Sequence, residues 1–170
     1  IEYQNHIFDQ LMEAGKEFGL KPYGIRAMNS LRVEKSYKLV GTELSIEYSP
    51  YESGLDRFVH PNKGDFIGRA ALDKWRAKGF SNKLVTMEIH GVTDADVLGN
   101  NPIYDNGSIV GRATSGDFGF RLNKSIALGM VKPELAKVGQ KLKIDILGKM
   151  HEASIVEESP YDSENKLLRA

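Results

Sequence analysis

Residues 103–110 read Ile103-Tyr104-Asp105-Asn106-Gly107-Ser108-Ile109-Val110 and decide the character of the second half of the chain. Asn-Gly between two short apolar runs is a strong hairpin signal, because both residues tolerate the positive φ that a two-residue turn needs. The stretch therefore predicts two antiparallel strands joined by a tight turn.

The same strand character extends to both sides of this hairpin. Apolar residues alternate with polar or small ones in three further segments: Val85, Met87 and Ile89; Ile126, Leu128 and Met130; Leu142, Ile144 and Ile146. This period is typical of half-buried strands. One more strand is expected over 149–158. Short strands separated by Gly and Asn predict a small antiparallel barrel or a sandwich from about residue 80 onward.

The first part of the chain carries helical patterns instead. Apolar residues at helical spacing predict three helices, over 5–18, 25–35 and 65–78. Gly19 is expected to end the first helix, and Asp65 is placed to cap the third. The stretch between the second and third helices holds Gly and Pro and is predicted to be irregular. The chain is thus expected to be α+β, with its helices first and its strands second.

The composition excludes several classes of protein. The chain has 170 residues, with 23 Lys and Arg against 23 Asp and Glu, and it contains no Cys. Balanced charge argues against broad binding to nucleic acid or to an anionic membrane. The absence of Cys excludes disulfides, thiolate metal sites and cysteine nucleophiles. No apolar run approaches the roughly twenty residues that span a bilayer, so a soluble protein is expected.

Motifs for the common catalytic chemistries are missing. The four histidines, His6, His60, His90 and His151, are scattered and do not have metal-ligand spacing. The sequence contains no phosphate-binding loop and no Gly-x-Ser-x-Gly elbow. Thr114-Ser115-Gly116 is interpreted as a turn. No catalytic or metal-binding residue is predicted.

One charged residue stands in an unusual place. Arg26 falls in the first turn of the predicted second helix, where the helix dipole disfavours a cation by about 0.3–1 kcal/mol. An arginine beside free backbone N–H groups suits a ligand carboxylate or phosphate. The alternative is an ion pair with an acidic side chain on another element. Tyr51 and Glu52, in the irregular stretch, add a ring able to stack and a carboxylate.

Residues 23–35 read Tyr23-Gly24-Ile25-Arg26-Ala27-Met28-Asn29-Ser30-Leu31-Arg32-Val33-Glu34-Lys35. They resemble the Gly-x-x-Ala-Arg-Asp-Ser-Leu-Arg-Leu-Glu signature of the folate-binding aminomethyltransferase family, which includes the glycine cleavage T-protein. Residues 49–55, Ser-Pro-Tyr-Glu-Ser-Gly-Leu, resemble that family's Thr-Pro-x-Glu-Ala-Gly-Leu segment. Three further segments are similar to blocks of the same family. One is 65–72, and the other two, 111–116 and 126–131, lie in the strand region. The resemblance covers nearly the whole chain.

This resemblance implies a fold and a cofactor. Residues 1–79 would be the C-terminal part of the family's central α+β domain, and residues 80–170 its C-terminal antiparallel β-barrel. The cofactor would be tetrahydrofolate, which accepts a one-carbon unit from an N-methylated glycine or an aminomethyl donor. Arg26 is expected to contact the folate, and Glu52 and Tyr51 to line the same site.

Two segments look like a particular branch of the family. Residues 29–37 and the ending 160–169 are similar to the tetrahydrofolate half of dimethylglycine and sarcosine dehydrogenases. In those proteins an FAD-dependent amine oxidase is fused to this module, so the resemblance allows an FAD domain before this chain but does not decide whether one is present. The expected location is the cytoplasm, or the mitochondrial matrix in a eukaryote.

Several positions depart from the family pattern. The positions of the family's essential Asp and of its pterin-binding Glu would fall before Ile1. Asn29 stands where the signature has an Asp. The Trp of the T-protein corresponds to a position at or near Arg57. The C-terminal tyrosines that touch the ligand have no clear counterpart near Lys166. The chain is therefore expected to be a piece of a longer enzyme, inactive alone. A non-catalytic scaffold of the same fold and a dimethylsulfoniopropionate demethylase-like methyltransferase are the alternatives.

Overall fold

The computed structural model describes residues 1–92 and 94–170. Its helices are α1 (Gln4–Ala14), α2 (Ile25–Glu34) and α3 (Arg69–Lys78), with short 3₁₀ turns at Lys16–Phe18, Asp56–Phe58 and Pro133–Leu135. Its strands are β1 (Lys83–Ile89), β2 (Pro102–Asp105), β3 (Ser108–Gly119), β4 (Lys124–Val131), β5 (Lys141–Ile146) and β6 (Lys149–Val156). The predicted α+β class is confirmed.

The strands form a closed antiparallel barrel in the order β1-β4-β3-β2-β5-β6. The predicted hairpin joins β2 to β3, and its turn residues Asn106 and Gly107 have φ of 47° and 80°. Closure leaves no free sheet edge, which favours a barrel over a sandwich for strands this short. Of the two arrangements that the strand pattern allowed, the barrel is the one formed.

β3 extends further than its sequence suggests. Thr114-Ser115-Gly116 was predicted to be a turn, and that prediction is wrong, because these residues lie inside β3. The register of β3 against β4 shifts between Ala113 and Ser115, so Thr114 is the extra residue of a β-bulge. A bulge lets Thr, Ser and Gly remain in a paired strand.

The barrel core is made by one face of each strand. Met87, Ile103, Ala127 and Ile144 belong to this apolar cluster and are fully buried. The opposite face of β4 is also buried, because α2 packs on the outside of β3 and β4. The barrel is therefore covered on this side by the helical part of the chain.

α2 packs through an unexpected face. The sequence pattern placed Ile25, Met28 and Leu31 together, yet these side chains are 76%, 39% and 46% exposed. The buried residues of α2 are Ser30, Val33 and Glu34. Polar contacts to the barrel decide this orientation, so the apolar face of α2 points away from it.

The other two helices differ from prediction at their ends. The first predicted helix breaks at Gly15 into α1 and a 3₁₀ turn, which ends at Gly19 with φ of 66°. The third begins at Arg69, not Asp65, after Gly68 with φ of 93°, and no side chain caps it. The expectation that Asp65 caps this helix is therefore wrong. None of the helices in the described residues combines the length and apolar content needed to cross a bilayer.

Gly111→Ala tests the close packing of β3 against β4. A Cβ at Gly111 would lie 2.2 Å from the carbonyl oxygen of Met130, a backbone atom that cannot move aside. We expect the free energy of unfolding to fall by about 1–3 kcal/mol, measured by urea denaturation.

Gly24→Ala is the matched control for that substitution. A Cβ at Gly24 meets nothing within 4 Å, and Gly24 has an ordinary φ of −82°. Its cost should stay below about 1 kcal/mol, the ordinary penalty for alanine at a helix N-cap. Equal losses for the two variants would contradict the packing described here.

Candidate functional site

The amino-terminal turn of α2 is open to solvent. Its N-cap, Gly24, offers no side chain, and no acidic residue lies in the first turn. Arg26 is highly exposed, and its Nη2 lies 3.0 Å from Oδ2 of Asp96 in the segment between β1 and β2. The ion pair considered as the alternative to a ligand contact is therefore present. The role of Arg26 in binding a ligand stays a prediction.

The polar face of α2 is hydrogen-bonded to β3. Asn29 Nδ2 donates to the carbonyl oxygen of Gly116 at 3.1 Å and to Oδ2 of Asp117 at 2.7 Å. Arg32 Nε donates to Asn29 Oδ1 at 2.9 Å, and the Ser30 hydroxyl donates to the carbonyl oxygen of Phe118 at 2.6 Å. These bonds fix the rotation of α2 about its axis. They also explain why an amide stands at position 29, since Asp117 is buried and needs a donor.

Glu43 joins α2, the following loop and the barrel. Its side chain is completely buried, and its carboxylate lies 3.5 Å from Nη1 of Arg32. It accepts hydrogen bonds from the Leu39 amide at 2.8 Å and the Thr42 hydroxyl at 2.7 Å, and another from the Ser115 hydroxyl.

Burial alone would raise the pKa of Glu43. The hydrogen bonds to its carboxylate outweigh burial and lower the pKa below its usual value of 4.5. The Thr114 hydroxyl is close enough to contribute to this lowering.

Glu52, predicted to line the folate site, is buried and engaged with the chain itself. One carboxylate oxygen accepts from the amide and hydroxyl of Ser49, at 3.0 and 2.9 Å. The other accepts from the amides of Ser81 and Asn82, at 3.2 and 3.1 Å. In this arrangement Glu52 ties the loop that contains it to the chain just before β1.

Tyr51, the other loop residue predicted to contact folate, packs against its neighbours. Its ring lies 5.5 Å from that of Phe80 and 5.6 Å from the guanidinium of Arg76. No hydrogen bond, ion pair or ring contact joins Arg26 to Tyr51 or Glu52 in the described part of the chain. The structure thus does not bring the three predicted residues into direct contact.

A groove of about 390 Å³ lies between the exposed face of α2 and the C-terminal segment. Its lining includes Met28, Leu31, Tyr37, Arg121, Tyr161 and Leu168. Arg121 stacks 5.0 Å from the Tyr161 ring and donates to its hydroxyl at 2.8 Å. The sequence did not lead us to predict this groove. The spacing of Met28 and Leu31, which places them on one face of α2, was the feature that could have indicated it. Both had been placed on an apolar helix face that we expected to pack inside the protein.

The family signature quoted above bears on Arg26 as well. In register with this chain, the arginine of that signature falls on Met28, and Arg26 stands two residues earlier. Two residues on a helix are separated by about 200° of rotation, so the two side chains point in nearly opposite directions. Met28 faces the groove, whereas Arg26 faces Asp96.

No metal site is formed by the described residues, among which no group of three or more His, Asp or Glu side chains is suitably arranged. Arg26 and the open turn of α2 can hold an anionic group. The groove beside α2 can hold an apolar or aromatic one. The two features lie on different sides of α2 and have different binding chemistry.

Comparison with known proteins gives matches over most of the chain. The profile described as "GCVT N-terminal domain" matches residues 1–63, and that described as "Glycine cleavage T-protein C-terminal barrel domain" matches 82–162. Human mitochondrial dimethylglycine dehydrogenase is 40% identical over 89% of this chain and 18% of its own length. An aminomethyltransferase from Synechocystis sp. is 40% identical over 92% of this chain and 42% of its own.

A solved structure has the same fold. The glycine cleavage system aminomethyltransferase T from Bartonella henselae superposes with a TM-score of 0.80 over 94% of this chain and 44% of its own. At 22% identity this likeness concerns the fold alone. The chain spans less than half the length of each of these relatives.

Asn29→Asp tests the polar contact between α2 and β3. A second carboxylate would face Asp117 in a buried place and remove its donor, so the free energy of unfolding should fall by about 2–3 kcal/mol. Adding Asp117→Asn restores a donor–acceptor pair and should recover at least half of the loss. Chemical denaturation of the single and double variants measures both. Additive losses would show that the two side chains do not interact.

Glu43 should make the protein sensitive to acid. Its lowered pKa means that the unfolded chain binds a proton more readily, so the stabilisation is present above pH 4.5 and is lost as the pH falls through the folded pKa. Glu43→Gln should lower the free energy of unfolding at pH 7 and flatten its slope on the acid side. Denaturation series between pH 7 and acid compare the two proteins. An unchanged acid slope would contradict the assignment.

Proposed function

Because the chain belongs to the glycine cleavage T-protein family, we propose that it forms part of a tetrahydrofolate-dependent one-carbon transferase. The observation that carries this proposal is the position of the family signature on α2. That helix presents an uncapped, cation-bearing end and, on the side away from Arg26, an apolar face that opens on a groove. A ligand that uses both must cross the amino-terminal turn of α2. Folate has matching parts, an acidic glutamyl tail and aromatic rings.

The acidic tail would bind at the amino-terminal turn of α2. Backbone N–H groups in a first turn without a capping side chain attract an anion, and the helix dipole adds to that attraction. Arg26 supplies a full positive charge there. Its present partner Asp96 holds the guanidinium by an exposed contact, which is weak enough to be replaced by a ligand carboxylate.

The rings would lie in the groove between α2 and the C-terminal segment. Its volume of about 390 Å³ is within the usual range for small-ligand sites. Met28 and Leu31 provide an apolar surface, and Tyr37 and Tyr161 provide rings for stacking. This placement accounts for apolar side chains that stay exposed on α2.

When bound, tetrahydrofolate would supply the nitrogen that accepts the one-carbon unit. The described residues would orient the cofactor and exclude water from one side of it. Glu34, Glu43 and Glu52 are each committed to hydrogen bonds within the chain, so we do not propose a proton-transfer role for them. The contacts of Tyr51 and Glu52 within the chain support a role in holding their loop in place, and we do not propose that these side chains contact folate.

The donor and the wider protein are further parts of the proposal. We infer an N-methylated glycine or aminomethyl donor, supported by similarity to proteins named dimethylglycine dehydrogenase and aminomethyltransferase. FAD would belong to a separate domain, as the dehydrogenase branch requires. A cytoplasmic or mitochondrial matrix location would suit this chemistry.

Arg26→Ala tests the anion-binding end of the proposed site. Loss of a charge-assisted hydrogen bond should weaken binding of 5-formyltetrahydrofolate about tenfold or more, measured by isothermal titration calorimetry. Leu31→Ala should weaken it as well, because the groove loses apolar surface without losing charge.

Lys149→Ala is the matched control for Arg26→Ala. The Lys149 side chain is 70% exposed, close to the 78% of Arg26, and it pairs with Asp94 in the same connecting segment as Asp96. Its removal should leave binding unchanged. Normal affinity in Arg26→Ala would exclude Arg26 from the site. Absence of binding in the unsubstituted protein would overturn the folate proposal.

A further inference from the structure

The C-terminal segment, residues 157–170, forms one wall of the groove beside α2. All of its residues are described, and they form no helix or strand and include no buried residue. Tyr161, Leu167 and Leu168 of this segment nevertheless line the groove. Because the segment has no apolar core of its own, contacts with the rest of the chain have to offset the entropy lost on ordering it.

Lys35, the C-cap residue of α2, binds this segment through its ammonium group. Its Nζ donates to the carbonyl oxygen of Asp162 at 2.6 Å and to Oδ1 of Asn165 at 2.7 Å. The carboxylate of Asp162 lies 3.7 Å from the same nitrogen. All of these acceptors belong to the C-terminal segment, so a single side chain ties the end of α2 to the groove wall.

This contact differs from an exposed ion pair. The Lys35 side chain is 13% exposed, and that of Asp162 is 8% exposed. An ammonium group removed from water to this extent needs acceptors, and losing them costs more than the loss of an exposed pair. Since the C-terminal segment supplies these acceptors, the burial of Lys35 favours the position in which the segment is held against α2.

Asp162 connects this contact to the residues that face the groove. Its Oδ1 accepts from the amide of Leu167 at 3.2 Å, and its Oδ2 accepts from the amide of Leu168 at 3.4 Å. On the other side of Asp162, the amide of Tyr161 donates to the backbone carbonyl oxygen of Glu34 at 3.0 Å. The position of the groove wall thus depends on where Asp162 is held.

We propose that Lys35 is a positioning residue for the groove beside α2. It holds the C-terminal segment so that the three wall side chains lie against the rings of the bound cofactor. This inference rests on the proposed folate site and adds a residue that acts through the segment it holds. The contact also gives a physical reason why the distant segments 29–37 and 160–169 resemble the same branch of the family, since they bind each other.

Lys35→Met tests this role, because methionine keeps the apolar stem and removes the ammonium donors. Amide hydrogen exchange followed by nuclear magnetic resonance reports on the wall. The amides of Tyr161, Leu167 and Leu168 should exchange at least about tenfold faster, and those of the barrel strands should be unchanged. The affinity for 5-formyltetrahydrofolate, measured by isothermal titration calorimetry, should fall about tenfold, because the ligand then has to order the wall itself. A contact with a structural role alone would change the exchange and leave the affinity as it is.

Asn165→Gly is a milder variant that removes one of the acceptors of Lys35. Asn165 has a φ of 55°, which glycine adopts without strain, so the backbone of the segment can keep its path. We expect the affinity to weaken about two- to fivefold. If Lys35→Met does not fold, this variant decides the question, and an unchanged affinity in it would overturn the inference.

Lys38→Met is the matched control. The Lys38 side chain is 11% exposed and pairs with Glu158, near the start of the same segment, but it does not line the groove. The same chemical change at this position should leave the affinity unaltered. An equal loss of affinity in Lys38→Met and Lys35→Met would overturn the inference, because the loss would then follow from removing any buried lysine in this region.

The remaining outcomes separate this inference from the proposed function. Normal affinity in Lys35→Met, or unchanged exchange of the wall amides, would overturn the role of Lys35 and leave the folate proposal standing. Absence of binding in the unsubstituted protein would overturn the folate proposal, and this inference with it.

Discussion

The contact between the polar face of α2 and the outside of β3 is the constraint on which the candidate sites depend. Asn29 and Ser30 bond to β3, and Arg32 reaches Glu43, which in turn accepts from Ser115. Because these groups are buried or nearly so, each would be costly without its partner. The contact fixes the rotation of α2 about its axis, and this rotation determines which side chains of α2 are exposed to solvent.

Buried carboxylates make this part of the fold hold together without a large shared apolar core. Glu34 accepts from the amides of Arg121 and Leu122, at 2.8 and 3.0 Å, and Glu52 accepts from those of Ser81 and Asn82. Each joins segments far apart in the sequence by satisfying backbone donors that have no strand or helix partner. Hydrogen bonds of this kind are directional, so they position the loops more sharply than apolar contacts would.

The shape of the surface around α2 follows from this use of polar contacts to hold the helix on the barrel. Since α2 uses polar groups to bind the barrel, Met28 and Leu31 are left to line a groove, and the uncapped end of the helix stays open. The bulge at Thr114 brings the Ser115 hydroxyl to the carboxylate of Glu43. The contacts between α2, the loop after it and the barrel thus leave an apolar groove beside α2.

The sequence by itself determined the features that depend on neighbours along the chain. Asn106-Gly107 predicted the β2–β3 turn and alternation predicted the strands, because turn geometry and strand period are local properties. The signature on 23–35 identified the family because it is a contiguous run of residues. The tertiary structure alone decided which face of α2 is buried and that Thr114 lies in a strand. Asn29 and Asp117 are 88 residues apart, and no local pattern shows that they will meet. Helical spacing shows that residues share a face, but only the partner across the interface decides whether that face is covered.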